Sequence, residues 1–344
     1  MSAMTYRPGV YSSYTVTPSY TGAREALPVG IVGRLGLDGD QPVLIRRGDT
    51  LTGGTLAATA ARLLFGAGLQ EFWACPVAEG ADAAAYTAAL EALGEAGEVA
   101  LIAIEDSAAD TLTAAAVFAE ARSQAQRETL VFAGCAGNVT TAAQLAKGVD
   151  HPRVVLCHGA AVPAGESQGA AFWGAVALAA AVAVLEDPGI SLTGAELPGL
   201  TKVTGATYAQ VEGLLAAGVT PLYPSGAGVE AVRVLTTSTT QDGSPNRSFS
   251  PINSVLIIDY VMKALRRSLA ALLKGARSSR QTLSAVASQI TVLLGEFADR
   301  GIITGYQTPR VYCLADAPEV CVAEVAFTAA YLINQIHIRA QIQL

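Results

Sequence analysis

One short motif contains a residue that could act as a nucleophile. Residues Gly165–Gly169 read GESQG and fit GxSxG, a pattern that places a serine on a tight turn between a strand and a helix. Here the preceding apolar strand ends near Cys157, and the stretch to Ser167 is too long for such a turn. The only later histidine, His337, lies in the terminal segment and is poorly placed as a base. We therefore interpret the motif as a chance match.

Cys157 and His158 are a second pair of reactive types, because a thiol beside an imidazole can form a catalytic dyad. Adjacent residues of a strand point to opposite faces, which argues against a dyad. The three histidines (His151, His158 and His337) lack the spacing and the acidic partners of a metal site. The sequence predicts neither a catalytic nor a metal site.

Four glycines are spaced three apart, at positions 30, 33, 36 and 39. A phosphate-binding loop would require GxGxxG or GxxxxGK[ST], and neither pattern occurs. These glycines are predicted to form turns, and no cofactor is expected.

A run of basic residues is the strongest charge feature. No acidic residue lies between Asp259 and Glu296, although the chain has a net charge of −7. Helical spacing can bring four of the basic residues to one face: Lys263, Arg266, Arg267 and Lys274. This face is either simply solvated or docks onto an acidic protein surface. The net charge argues against a chain that coats nucleic acid.

Composition indicates a large core and a covered surface. The chain has 344 residues, of which 51% are hydrophobic and only 15% charged, so we expect partners or further copies to cover part of its surface. Its five scattered cysteines show no CxxC pattern and are predicted to be buried thiols in a reducing compartment. The uncharged stretch Gly169–Leu185 is short for a membrane span and is predicted to be a helix buried in the core, with no membrane insertion.

Apolar strands and helices alternate from residue 80 to 186, which predicts an α/β fold with a central parallel sheet and helices on both faces. Residues 187–252 are predicted to be loop-rich, with one strand at 229–236. Helices at 254–273 and 280–300, with strands near Val311 and at 320–327, predict an α+β C-terminal domain. The predicted division is an arm at 1–22, a small domain at 23–97, an α/β domain at 98–240, the C-terminal domain at 241–333 and an arm at 334–344.

The chain ends in a strand with one apolar face, formed by Ile336, Ile338, Ala340, Ile342 and Leu344. Its nine residues would span about 30 Å. Chain termini usually fray unless they are held, so this strand requires a partner edge. Near the other end, residues 10–16 can also be extended.

Several short motifs follow one another in the order found in a known family. They are PGVY at 8–11, LEDPGISL at 185–192, LPGL at 197–200, GLLAAGVTPL at 213–222, VRVLTT at 232–237, IIDYV at 257–261, DRGI at 299–302 and the alternating terminal strand. With these motifs the sequence resembles the sheath proteins of contractile phage tails and related bacteriocins over nearly its whole length.

The resemblance implies a structural, non-enzymatic protein in a virion tail or a phage-tail-like particle assembled in the bacterial cytoplasm. Subunits would form stacked hexameric rings around an inner tube and contract to drive the tube through a target envelope. Both arms would add strands to neighbouring subunits, the first through Val10, Tyr11, Ser12, Ser13 and Tyr14 and the second through the terminal strand. The four-residue basic face would contact the acidic tube.

Expected partners are therefore the chain itself, the tube protein, and the baseplate and terminator proteins, with no nucleic acid. Two alternatives remain open: a doubly wound α/β hydrolase using Ser167, and another structural component of the same tail.

Overall fold

A computed structural model describes residues 26–226, 228–273 and 277–331. Both predicted arm strands, at residues 10–14 and 336–344, lie outside the described residues, and so does Lys274.

The described part of the chain contains eight helices. They are α1 (Leu56–Ala67), α2 (Ala83–Ala96), α3 (Ala109–Gln124), α4 (Val139–Val149), α5 (Ala171–Ala183), α6 (Tyr208–Ala216), α7 (Ile252–Leu273) and α8 (Arg280–Asp299).

Seventeen strands lie before, between and after these helices within the same described ranges. They are β1 (Val29–Gly33), β2 (Val43–Arg46), β3 (Glu71–Pro76), β4 (Leu101–Ile104), β5 (Leu130–Cys135), β6 (Val154–His158), β7 (Ala160–Pro163), β8 (Ala195–Glu196), β9 (Leu200–Thr204), β10 (Val219–Ser225), β11 (Gly228–Ala231), β12 (Thr240–Gln241), β13 (Ser244–Pro245), β14 (Ile303–Tyr306), β15 (Arg310–Cys313), β16 (Cys321–Glu324) and β17 (Phe327–Ala329).

The centre of the fold is a nine-stranded sheet in the order β2-β3-β1-β4-β5-β6-β10-β11-β8. The six strands from β3 to β10 are mutually parallel, and β2, β11 and β8 join antiparallel to their neighbours. Strands β1, β4, β5 and β6 are buried at every position, as expected for strands covered on both sides. The predicted α/β class and the mostly parallel sheet are confirmed.

Successive residues of these strands alternate between two hydrophobic cores. In β5, Leu130 and Phe132 face the core formed with α1 and α5, whereas Val131 and Ala133 face the core formed with α2, α3, α4 and α6. A parallel strand with apolar residues at consecutive positions therefore fills both cores at once.

The uncharged stretch Gly169–Leu185 contains α5, which is buried on nearly all sides against α1 and the sheet. Small side chains allow close contact, since Gly134 of β5 could not carry a Cβ without approaching the carbonyl oxygen of Ala171 to 2.0 Å. The prediction of a buried core helix is confirmed. Among the described residues, no helix is long and apolar enough to span a membrane.

The prediction of a loop-rich segment at 187–252 was wrong, because this segment supplies helix α6 and the central strand β10. Gly218 turns the chain between them with a φ of +76°. Pro221 lies within β10, where it hides the strand signal, yet its carbonyl still accepts a hydrogen bond from the N–H of Val232 (3.0 Å). Strand β11 ends at Ala231, five residues before the predicted end at 236.

Strands from the predicted small domain share the central sheet with strands from the predicted α/β domain. Val29 of β1 pairs with Leu101 of β4. The predicted division between residues 97 and 98 therefore runs through one continuous sheet.

After residue 251 the chain forms what we call the C-terminal unit (residues 252–331): α7, α8 and two small antiparallel sheets, β14-β17 and β15-β16. A third hydrophobic core holds it together, with Ile257, Val261 and Leu265 of α7 facing Ile290, Leu294 and Phe297 of α8. Helix α8 ends at Asp299, and Gly301 beyond it has a φ of +74°, which lets the N–H of Ile302 reach the carbonyl of Phe297. The two long helices are confirmed to within two residues at each end.

Candidate functional site

The predicted basic face lies on α7, which is fixed to the rest of the fold by its buried residues. The first turns of α7 place Ile252, Val255 and Leu256 in the core beside α5, and the later turns enter the third core. One helix therefore joins the C-terminal unit to what we call the α/β unit (residues 26–251).

Two ion pairs tie α7 to the amino-terminal edge of the central sheet. Arg153, just before β6, binds both carboxylate oxygens of Asp259, and the Nη2–Oδ1 distance is 2.8 Å. Burial raises the pKa of the Asp259 carboxyl, and the bonds from Arg153 oppose that shift. Arg266 pairs with Glu128, which lies just before β5.

Arg266 therefore differs from the other predicted members of the basic face, because it already has an internal partner. Lys263 is half-buried and Arg267 is exposed, and neither has an ion pair with any described residue. Lys263 and Arg267 lie together on one side of α7, whereas the ion pair of Arg266 links α7 to the α/β unit.

Lys263 and Arg267 line a groove between α7 and the amino-terminal ends of β1, β4 and β5, which we call the α7 groove. Its cavity volume is about 700 Å³. Its lining also includes three carboxylates, namely Glu98, Glu128 and Asp259. The basic helix therefore faces a surface of mixed charge, and Arg267 is its most accessible cation.

Sequence reasoning missed these carboxylates and Arg153. Glu98 and Glu128 stand just before apolar stretches predicted as strands, and Arg153 precedes the next one. Residues just before parallel strands meet at one edge of the sheet, so this position was the available signal.

A further set of polar contacts holds the DPG turn that follows α5 against α7. The side-chain amide of Asn253 on α7 donates to the carbonyls of Pro188 and Ile190, at 2.8 Å each. Asn253 is only 5% exposed and Pro188 is buried, so the bond between them is shielded from water. Arg300, at the end of α8, reaches Asp187 of the same turn at 3.5 Å and donates to the hydroxyl of Tyr260 at 3.0 Å.

The structure does not assemble the nucleophile site. Ser167 lies in an exposed loop after β7, and Glu166 beside it pairs with Arg62. The strand β7 separates this loop from β6, so the turn geometry of a nucleophile elbow is absent from this described segment.

Cys157 and His158 point to opposite sides of the sheet, as predicted. Cys157 belongs to the core beside α5, where burial raises the pKa of its thiol. His158 is 2% exposed, and its Nε2 lies 2.9 Å from the carbonyl oxygen of Gly137. This separation leaves no thiol–imidazole dyad at these two positions.

The glycine series serves packing and turns. A Cβ on Gly30 would approach Leu93 to 2.7 Å, and one on Gly33 would approach Glu105 to 2.6 Å. Gly36 and Gly39 have positive φ angles, and the segment leads into β2 rather than directly into a helix. Arg34 holds the carboxylate of Glu105 at the carboxyl end of β4, with an Nε–Oε1 distance of 3.0 Å.

Solved structures supply the decisive comparison. A chain of the anti-feeding prophage helical sheath in its contracted state superposes with a TM-score of 0.68 at 18% identity, covering 98% of this chain and 99% of that one. The chain has the fold of contractile tail sheath proteins. A sheath tail protein from Desulfitobacterium hafniense gives a TM-score of 0.67 at 12% identity, covering 93% of this chain and 100% of that one.

A chain from the anti-feeding prophage baseplate also shares this sheath fold, with a TM-score of 0.71 at 17% identity and coverage of 99% and 100%. No protein-family model matches the sequence, and no curated protein matches it either. The structural comparison therefore detects a likeness that neither family models nor curated sequences detect.

Proposed function

We propose that this protein is the structural subunit of a contractile tail sheath. Subunits polymerise as stacked hexameric rings around an inner tube, and their contraction drives the tube through a target cell envelope. The observation that carries the proposal is a fold shared along almost the full length of both chains with a subunit of a contracted helical sheath. The particle is a virion tail or a phage-tail-like particle assembled in the bacterial cytoplasm.

Strand exchange through the arms is the proposed link between subunits. The sheets β14-β17 and β15-β16 have only two strands each among the described residues, so every one of these strands has an unpaired edge there. Two-stranded sheets are marginal in water, and an added strand from a neighbour would stabilise them. Each added hydrogen bond contributes only about 0.5–1.5 kcal/mol, but repetition along a polymer makes the links strong.

Lys263 and Arg267 are the proposed contacts to an acidic inner tube. Arg267 is accessible, and neither cation has an ion pair with a described residue, so both charges are available to a partner at the mouth of the α7 groove. Lys274 belongs to the same proposed face. Baseplate and terminator proteins would contact the ends of the polymer.

Electron microscopy of the purified full-length protein is the first test. Long hollow tubes with a helical surface are the expected result. Uniform small particles that do not polymerise even when the inner tube protein is co-expressed would contradict the proposal.

The tube contact is tested by reversing Lys263 and Arg267 to Glu together. We expect the variant to remain folded and to lose assembly on tubes, because opposite charges no longer meet. The matched control reverses Lys147 and Lys202, which are exposed and lie away from α7. Normal assembly of the Lys263/Arg267 variant on tubes would overturn the contact.

Deleting residues 335–344 tests the C-terminal arm. The expected outcome is a folded subunit that no longer polymerises. A truncated protein that still forms tubes would refute exchange of this arm, and one that unfolds as a monomer would show that the strand pairs within its own subunit.

A second candidate is a sheath-like subunit confined to the baseplate, favoured by the match to a chain of that assembly. It predicts closed rings of limited height in place of long tubes. The same micrographs distinguish the two.

A further inference from the structure

The prediction that all five cysteines are buried thiols was wrong for two of them. Cys75, Cys135 and Cys157 are buried, whereas Cys321 is exposed and Cys313 is half-buried. These two lie in the β15-β16 hairpin, directly opposite each other in the antiparallel register. The sequence could not show this pairing, because seven residues separate them and the turn sets the register.

The backbone hydrogen bonds of the hairpin show that Cys313 and Cys321 form a non-hydrogen-bonded pair, the closer of the two kinds. Leu314 donates its N–H to the carbonyl of Val320 (3.1 Å), so the next pair along the ladder, Cys313 with Cys321, is a non-hydrogen-bonded pair. Opposed Cα atoms in such a pair are about 4.5 Å apart and their side chains are closest. Disulfides span Cα separations of roughly 4.4–6.8 Å, so the backbone already permits the bond.

The two thiols also influence each other. Burial and the neighbouring Cys313 thiol both raise the pKa of the Cys321 thiol, and the hydroxyl of Ser278 lies 3.3 Å from the sulfur of Cys313. Val311 and Ala323 of the same hairpin pack on the third core, which holds the two strands in place. No large backbone movement is needed for the sulfurs to meet.

We propose that Cys313 and Cys321 form a redox-active pair, which closes to a disulfide across the β15-β16 hairpin when a small-molecule disulfide such as oxidised glutathione is in excess. This site goes beyond the sheath function and does not depend on it. An exposed disulfide of this kind is readily reduced, so the pair is open in a reducing compartment and closed outside it.

The reaction is a double thiol–disulfide exchange. The thiolate of one cysteine attacks oxidised glutathione, breaking its S–S bond, forming a mixed disulfide and releasing one glutathione thiolate. The thiolate of the other cysteine then attacks the protein sulfur of the mixed disulfide, which forms the Cys313–Cys321 bond and releases the second glutathione. The two cysteines lose two electrons and two protons, and oxidised glutathione gains them as two glutathione thiols.

The test uses the full-length protein incubated with oxidised glutathione, then unfolded in the presence of N-ethylmaleimide, digested with a protease that cleaves at Asp316 or Glu319 and analysed by mass spectrometry. We expect the peptide containing Cys313 to be linked to the peptide containing Cys321, while Cys75, Cys135 and Cys157 carry maleimide. Excess reduced glutathione added before blocking should return both cysteines to the labelled form.

Single variants report the mechanism. In Cys321→Ser, Cys313 should stop as a mixed disulfide with glutathione, and in Cys313→Ser the same should hold for Cys321. Cys135 and Cys157 provide an internal control, because they lie on adjacent strands but face opposite cores and should not become linked.

Three outcomes would overturn the proposal: two unreacted thiols, two separate mixed disulfides in the native sequence, or a disulfide between two copies of the chain. The variant Cys313→Ser/Cys321→Ser with an unchanged circular dichroism spectrum shows that the fold does not depend on the pair, so the result reflects thiol chemistry rather than misfolding.

Discussion

The strands of the α/β unit and those of the C-terminal unit differ in how deeply they are buried and in how many neighbours they pair with. Strands β1, β4, β5 and β6 are buried at every residue and have a neighbour on both sides. Strands β15, β16 and β17 have no fully buried residue, and each pairs on one side only within the described chain. The central strands of the first unit are therefore paired and buried on all sides, whereas every strand of the second unit has an unpaired edge within the described chain.

Buried polar groups have one role within the α/β unit and another between the two units. Within the α/β unit, Arg122 lies in the core side of α3 and donates to the carbonyl of Gly94 (2.8 Å) and to Thr129 (3.0 Å). Between the units, Asn253 and the Arg153–Asp259 pair supply polar contacts. Because hydrogen bonds are directional, these contacts fix the angle between two units more narrowly than apolar contact does.

The largest expected effects come from one phenylalanine in each unit. Phe132→Ala in β5 and Phe297→Ala in α8 each remove a buried ring and should cost about 3–5 kcal/mol. We expect Phe132→Ala to lower the stability of the whole chain, and Phe297→Ala to open the C-terminal unit alone. Hydrogen exchange measured by mass spectrometry reports each unit separately, and equal loss of protection in both units with Phe297→Ala would mean that they unfold as one.

A smaller effect is expected at the polar contacts between the two units. Asn253→Ala leaves the carbonyls of Pro188 and Ile190 without their donor, which should lower the free energy of unfolding by about 2 kcal/mol. Urea denaturation gives the value. Gln168→Ala, in the exposed loop after β7, is the control and should change it by less than about 0.5 kcal/mol.

The next effect concerns pH and the loop that leads to the C-terminal unit. Burial alone would raise the pKa of the Asp150 carboxyl, but hydrogen bonds from Thr239 and Thr240 lower it below its ordinary value. A lowered pKa in the folded state means that the stabilisation is present above the unfolded pKa and is lost as pH falls through the folded pKa.

We therefore expect the free energy of unfolding to fall as the pH drops below the unfolded pKa of about 4, with a part of that fall absent in Asp150→Asn. Asparagine tolerates the left-handed backbone at this position (φ of 36°), so the comparison isolates the charge. Identical pH profiles for the two proteins would contradict the assignment.

The smallest effects are expected at exposed ion pairs of both units. Arg310 pairs with Glu324 on the β15-β16 hairpin at 3.6 Å, and Arg46 of the edge strand β2 pairs with Glu71 of its neighbour β3 at 3.1 Å. Replacing either arginine with Ala should change the free energy of unfolding by less than about 1 kcal/mol, because solvent screens these charges. A larger loss in thermal denaturation of the free subunit would show that one of these edges is more strongly held than its exposure indicates.

The sequence alone determined the elements whose signal is local. Period and length were enough for the parallel strands β4, β5 and β6, for the buried helix α5 and for the pair α7 and α8, because each carries an apolar pattern along its own residues. The order of the short motifs along the chain was enough to indicate the sheath fold, which the structural comparison supports.

Only the tertiary structure decided which residues meet across long distances in the chain. Strand β10 was hidden by Pro221, and its place between β6 and β11 depends on pairing rather than on its own composition. The basic run of α7 gave no sign that Arg266 has a partner 138 residues away in Glu128. Charge and thiol chemistry depend on such neighbours, since ionic and covalent contacts act over a few ångströms in space and not along the sequence.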